Sequence, residues 1–336
     1  MGEKRNRINR FRDNMNLLGI DIGGTKMALS IGNERGEILI GQRFPTDRDS
    51  AQKTLTQAAQ AAEKLISKAG LTAKQIDAIG ISSPGPMCSK RRMILKTPNL
   101  QNWDHFKVGD FFEDRFKRPT FMQNDANGAG LAEYLFGACK GLDLIYLTMS
   151  TGIGAGIIAN GQLVAGANDL GGEAGHITLD INGPRCGCGK TGCWEAFCGG
   201  KNFADQLRAD MVANNIKTAI LDEVGGDPAK ISMKEICAAV RAGDAYACKK
   251  WDGFIEKMAQ AIGILLQTLN PQAIVMGTIA IHDGDLFIPQ MMERLPKYAW
   301  KGCIEVCRIE PSTLKNIGEL GAIAIAIDGI SRLDKG

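Results

Sequence analysis

No part of this chain is apolar for long enough to cross a bilayer. The longest apolar stretch, Ala261 to Leu269, is broken by Gly263 and Gln267, well short of the ~20 residues a spanning helix needs. No apolar segment follows the basic start MGEKRNRINRFR, so that start is not a secretory signal. Ten cysteines without such a signal imply a reducing, cytoplasmic setting, where thiols bind metal or pack as small hydrophobes. A surplus of one charge is lacking too. The net charge of +3 argues against a dedicated nucleic-acid binder, and the basic leader over 1–16 is too short for a helix-turn-helix domain. The GxxxxGK[ST] spacing of a Walker loop is also missing. What is present is ordinary for a globular protein: 336 residues, 44% hydrophobic and 23% charged, enough for one large or two medium domains.

The richest segment is GGEAGHITLDINGPRCGCGKTGCWE, from Gly171 to Glu195. His176 precedes Cys186, Cys188 and Cys193, and glycines at 187, 189 and 192 let the thiolates turn toward one point. Three thiolates and one imidazole close a tetrahedron around Zn²⁺, and a four-ligand site with no open position is structural. The metal then braces its surroundings, above all Glu173 and Glu195. Six of the other cysteines (Cys88, Cys139, Cys237, Cys248, Cys303 and Cys307) read as buried packing. Cys303 and Cys307 are expected on one face of a strand, CIEVCRI.

Two segments share one plan. Leu17 to Ile38 reads LLGIDIGGTKMALSIGNERGEI, and Leu144 to Val164 reads LIYLTMSTGIGAGIIANGQLV. Each predicts strand, Gly/Thr hairpin, strand, turn, strand, so the chain has two related halves. Helices are expected over Ser50 to Ala69 and Tyr246 to Leu269. Strands follow them at Ile76 to Ile81 and Ala273 to Met276, and the alternation makes the chain α/β. A cleft between the halves is the expected ligand site. The turns Gly23-Gly24-Thr25-Lys26 and Thr151-Gly152-Ile153-Gly154 offer backbone amides and hydroxyls that nest phosphate oxygens. Each alone reads equally as a plain tight turn. As a matched pair they favour a nucleoside triphosphate, with Asp21 orienting Mg²⁺ through water. Arg208 to Pro228 reads as a peripheral helical excursion or loop.

The catalytic candidate is Asp125. It follows a strand over Pro119 to Met122 and precedes a helical run from Ala129 to Gly137, which places its carboxylate at a helix N-terminus. It reads either as a helix cap or as the acceptor that a sugar hydroxyl needs when it attacks a γ-phosphoryl group.

The chain resembles the ROK family of sugar kinases, open reading frames and transcriptional repressors, in a pattern similar to its bacterial glucokinases. The resemblance rests on Asp21-Ile-Gly-Gly-Thr-Lys26, Pro84-Gly-Pro86, Thr97-Pro-Asn-Leu100 with Trp103, Asn124-Asp125-Ala-Asn127, Ser150-Thr-Gly-Ile-Gly154, Gly171-Gly-Glu-Ala-Gly-His176 and Cys186-Gly-Cys-Gly-x-x-Gly-Cys193-Trp-Glu195. It implies the two-domain, actin-like (ribonuclease-H-like) sugar kinase fold with an interdomain cleft. The N-terminal domain would span 17–122, completed by a C-terminal helix over 318–334, and the larger domain 123–317. It implies ATP-dependent phosphorylation of a hexose, glucose O6 first, as an entry step of glycolysis, with Asp125 as base. Asn99, Asn124, Glu173, His176 and Glu195 would hold the other hydroxyls. Gly23, Gly24, Thr25, Lys26, Thr151, Gly152 and Gly277 would hold the nucleotide, and His176, Cys186, Cys188 and Cys193 structural zinc. His176 would give one ring nitrogen to the metal and one to the sugar.

A homodimer is implied as well, with sugar and nucleotide as ligands and neither nucleic acid nor membrane as partner. Another hexose, N-acetylmannosamine, or a non-catalytic sugar-sensing role are the alternatives, although sixteen residues before Leu17 are too few for the repressors' DNA-binding domain. Three departures stand out: Ser150 and the Thr278-Ile279 pair replace usual glycines, and Gly199 replaces a usual serine. The second puts side chains where the nucleotide would approach, which opens the identity of the phosphoryl donor.

Overall fold

The computed structural model describes residues 14–97 and 100–334. Most of the leader expected over 1–16 therefore lies outside the described residues, and so does Asn99. In chain order the first elements are β1 (Leu17–Ile22), β2 (Lys26–Gly32), β3 (Ile38–Pro45), α1 (Ala51–Lys68), β4 (Ala78–Ser83), β5 (Met87–Cys88), β6 (Met93–Ile94), α2 (Val108–Phe116), β7 (Thr120–Asn124) and α3 (Asp125–Phe136). Then come β8 (Leu144–Met149), β9 (Ile153–Ala159), β10 (Gln162–Leu163), α4 (Trp194–Cys198), α5 (Gly200–Ala213), α6 (Ala219–Asp222), α7 (Met233–Arg241) and α8 (Ala245–Leu269). The chain continues through β11 (Ala273–Met276), α9 (Ile279–Arg294), α10 (Lys301–Val306) and β12 (Arg308–Pro311) to α11 (Ile317–Leu333).

Glycine punctuation sets the topology. The first sheet runs β3-β2-β1-β4-β7 and the second β10-β9-β8-β11-β12. Each begins with an antiparallel meander and ends with parallel strands reached through helices. The two halves seen in the sequence thus share one strand order. Central strands β1 and β4 are buried almost throughout, as parallel strands covered on both faces must be. Edge strand β3 alternates between half-buried and exposed positions over its first residues.

The described residues form two compact units. The first holds those up to Asp143, Gly156–Gly172 and those from Thr313 onward; the second holds Leu144–Ala155 and Glu173–Ser312. In the first, α1 starts at Ser50, whose hydroxyl accepts from the Lys53 amide at 3.2 Å, a standard N-cap. It lays Leu55, Ala58, Ala62 and Leu65 into a core with Ile20, Ile79, Trp103 and Phe112. Helix α11 buries Ile323, Ile325 and Ile327. It lies so close to β4 that a Cβ on Gly80 would stand 1.9 Å from the Ala322 carbonyl oxygen. In the second unit, α8 buries Trp251, Phe254, Met258 and Ile262, and the Trp251 and Phe254 rings stack 4.8 Å apart. Among the described residues no helix is long and apolar enough to cross a membrane.

Three expectations shift. The division falls after Asp143 rather than Met122, because β7 pairs with β4 and α3 packs on α11, both in the first unit. Cys303 lies in helix α10 and Cys307 just beyond it, with strand β12 starting only at Arg308. A spacing of four puts two residues on one face of a helix as readily as of a strand. Arg208 belongs to α5, which buries Leu207 and Met211, so that segment begins as core and turns peripheral only later.

Candidate functional site

In the first unit β7 runs directly into α3. Asn124 is the N-cap, its side chain accepting from the Ala126 amide at 2.9 Å. The next residue, Asp125, is exposed on the first turn, and its Oδ1 accepts from the same amide at 2.8 Å. Both side chains thus meet the first free amide of α3, and Asp125 remains exposed there. Asp21, next to last on β1, sits opposite Ser82 of β4. Burial pushes its carboxyl up from the usual 3.8 to about 6; the nearby Asp125 and Glu319 charges add to the rise, and the hydrogen bond with Ser82 and the Arg43 charge oppose it. A carboxylate so placed is short of positive charge.

The turn after β1 is closed by the Gly23 amide on the Lys26 carbonyl at 2.9 Å. Thr25 and Lys26 are exposed at its tip. Its carbonyls are held from the segment after β3: Thr46 Oγ1 donates to Gly23 O at 2.8 Å, the Thr46 amide to Thr25 O at 3.0 Å, and Arg48 Nε to Gly24 O at 2.5 Å. Sequence reading passed over Thr46 and Arg48. Their only signal is a polar Thr-Asp-Arg run where β3 ends.

In the second unit His176, Cys186, Cys188 and Cys193 come together, with their ligand atoms all within 4.8 Å of one another. Cys186 Sγ lies 3.7 Å from His176 Nδ1, and Cys188 Sγ 3.6 Å from Cys193 Sγ. Zinc–sulfur bonds of about 2.3 Å give a tetrahedral edge of about 3.8 Å, so donor set and spacing fit a closed Zn²⁺ site. The loop is made for that convergence. The Cys186 amide donates to Lys190 O at 2.8 Å, and the Gly192 amide to Pro184 O at 2.8 Å. Gly192 has φ +73°, and any Cβ there would overlap the Asp180 carbonyl. Burial pushes the Cys193 thiol up to about 12 and raises that of Cys186, so metal entry displaces protons these thiols otherwise keep. With Nδ1 turned to the cluster, His176 Nε2 faces Glu173, 3.9 Å from Oε2, and Glu173 is half-exposed.

Helix α4 follows Cys193 at once. Trp194 is fully buried and its indole N–H donates to Met258 Sδ of α8 at 3.4 Å. That anchor aims Glu195 at the start of β9, where Oε2 accepts from the Ile153 amide at 2.9 Å. Gly152 leaves the room this needs, since a Cβ there would stand 2.2 Å from Glu195 Oε2. Ser150 and Thr151 are exposed, and their carbonyls accept from the Gly200 and Lys201 amides at 2.8 and 3.3 Å. Gly277 continues β11, donating to Leu147 O at 2.8 Å, and Thr278 and Ile279 open α9. The sequence placed Glu195 beside the metal loop; that it ties this loop to the Gly152 turn emerges only from the structure.

The chain is similar to known proteins over most of its length. A glucokinase of Thermotoga maritima is 28% identical over 313 residues, 93% of this chain and 97% of that protein. A xylose repressor of Bacillus spizizenii is also 28% identical over 313 residues, which cover 77% of its length. The crystal structure of a ROK hexokinase from Thermus thermophilus superposes with a TM-score of 0.81 at 29% identity, over 96% of this chain and all of that one. A ROK glucokinase from Streptomyces griseus, solved with glucose and AMPPNP, gives 0.72 at 30% identity, over 93% of this chain and 99% of that one. The architecture is therefore that of the actin-like sugar kinases. The ROK family model matches residues 17–329, nearly the whole length, and the chain belongs to the ROK family.

Proposed function

We propose that this protein is an ATP-dependent sugar kinase that transfers the γ-phosphoryl group to a hexose hydroxyl, glucose O6 first among the acceptors. The observation that carries the reading is Asp125. Its carboxylate stands exposed on the first turn of α3, beside the N-cap Asn124. Asp125 takes the hydroxyl proton as the sugar oxygen bonds to the γ-phosphorus. The bond from that phosphorus to the β–γ bridging oxygen breaks, and ADP leaves. Asn99, Asn124, Glu173, His176 and Glu195 are assigned to the remaining hydroxyls by resemblance. His176 can serve because Nδ1 turns to the thiols and Nε2 away from them.

The turns at Gly23–Lys26 and Thr151–Gly152, with Gly277, are assigned to the nucleotide. Mg²⁺ bound with ATP would neutralise charge building on the phosphates, and Asp21 is the residue assigned to orient it through water. His176, Cys186, Cys188 and Cys193 hold structural zinc, which fixes the loop carrying Glu173 and Glu195. A reducing compartment keeps those thiols available, and a homodimer is the expected assembly.

Sugar-dependent ADP release, followed by a coupled assay over hexoses and N-acetylhexosamines, tests the reading beside Asp125→Asn. Turnover by the wild type that falls ~10²–10⁴-fold in the variant supports it. Turnover unaffected by Asp125→Asn removes the base assignment. A second reading, a sugar sensor without turnover, draws on the xylose repressor similarity; it gains if calorimetry shows sugar binding while no sugar releases ADP.

A further inference from the structure

Thr278 holds a backbone conformation that its own side chain opposes. Its φ is +50° and ψ −104°, a region a β-branched residue rarely enters and glycine enters freely. What keeps it there is its hydroxyl. Oγ1 accepts from the Met149 amide at 2.8 Å and donates to the Met149 carbonyl. The β8–β11 ladder ends at Leu147 opposite Met276, and Gly277 adds one further backbone bond to Leu147 O. At Met149, fully buried at the end of β8, the Thr278 side chain takes the place of the next backbone pair. Ser150, Thr151 and Gly152 follow immediately. A glycine at 278 would accept the backbone geometry and leave both Met149 groups without this partner.

We propose that Thr278 is a positioning residue for the Ser150–Gly152 turn. Its hydroxyl staples the root of that turn to the start of α9, so that the turn meets the nucleotide's phosphates already ordered. Two other clamps act further along: the Gly200 and Lys201 amides on the Ser150 and Thr151 carbonyls, and Glu195 on the Ile153 amide. The staple is the one that fixes the residue before the turn. The Thr278 hydroxyl thus replaces conformational freedom with a further anchor. This rests on the assignment of the 150–152 turn to the nucleotide made above.

Three variants separate the effects. Thr278→Ser keeps the hydroxyl; Thr278→Val keeps the shape and loses the hydroxyl; Thr278→Gly relieves the backbone and loses the hydroxyl. Hydrogen exchange of the unliganded chain, read over 149–153, should rise about tenfold or more in the Val and Gly variants and stay near wild type in Ser. In the kinase assay KM for ATP should rise about tenfold in Val and Gly, with kcat and the sugar KM within about twofold, and Ser should restore it. Gly serves as the control for folding, because it takes this φ without strain.

Unchanged exchange in both Val and Gly overturns the staple. Raised exchange with an unchanged nucleotide KM overturns its positioning role. If the wild type releases no ADP with any sugar, the kinase reading fails separately. Calorimetry with Mg-AMPPNP then decides: weaker binding in Val and Gly, restored in Ser, upholds the proposal, and equal or absent binding throughout defeats it.

Discussion

Asp21→Asn should make this protein more stable at neutral and alkaline pH while weakening its use of Mg-ATP. Burial lifts the Asp21 carboxyl from 3.8 to about 6. Between those values the folded chain binds more protons than the unfolded one, so stability falls as pH rises from about 4 to 6 and the full penalty is present above that. A shift of about two units at ~1.4 kcal/mol each corresponds to roughly 3 kcal/mol. Asparagine fills the same volume and can still accept from Ser82, while carrying no charge. The gain expected at pH 8, after allowing for an imperfect amide fit beside Gly318, is about 1–3 kcal/mol. Gly318 leaves little slack there, since a Cβ on it would lie 2.2 Å from Asp21 Oδ2. Urea unfolding of both proteins in chelator, at pH 8, 7, 6, 5 and 4, measures the difference. It should be largest at pH 8, shrink through pH 6 and vanish near pH 4. A variant that is less stable at pH 8, or a difference that does not move with pH, refutes the argument. A residue kept at such a cost points to function rather than folding.

Other predictions are more local. Cys188→Ser should lose stoichiometric zinc by elemental analysis and weaken sugar binding; unchanged metal content would remove Cys188 from the ligand set. Gly152→Ala should destabilise by roughly 1–3 kcal/mol through overlap with Glu195. The same substitution in a Glu195→Ala background should cost far less, and equal costs in both backgrounds would place the strain elsewhere. Asp125→Asn should retain sugar affinity within a few-fold by calorimetry while turnover collapses, and loss of binding alone would point to a hydroxyl-binding role instead.

Much of this was legible because glycine interrupts β-rich runs at matching places. The hairpins after β1 and β8, the helix that begins near Ser50 and the His176–Cys193 cluster all follow from local spacing. Cys303 and Cys307 misled because a separation of four satisfies both helical and strand periods. The division at Asp143 was hidden because α3 looks the same in sequence whichever unit it packs against, and only α11, from the far end of the chain, decides. The bond from the Ile153 amide to Glu195 depends on where buried Trp194 anchors α4, a tertiary fact with no signature of its own. Thr278 was visible as a departure, but its φ and its grip on Met149 were not.

The three-segment make-up of the first unit has a consequence during synthesis. Its sheet is complete once β7 leaves the ribosome, yet α11, which covers one side of β1 and β4, begins only at Ile317. The second unit, which ends at Ser312, is therefore finished first. At roughly 5–20 residues per second, the growing sheet waits on the order of ten to forty seconds for its last helix. For that interval the face of β1 and β4 that carries Gly19 and Gly80 lies without the helix that covers it, and a chaperone that shields nascent chains would find its target there.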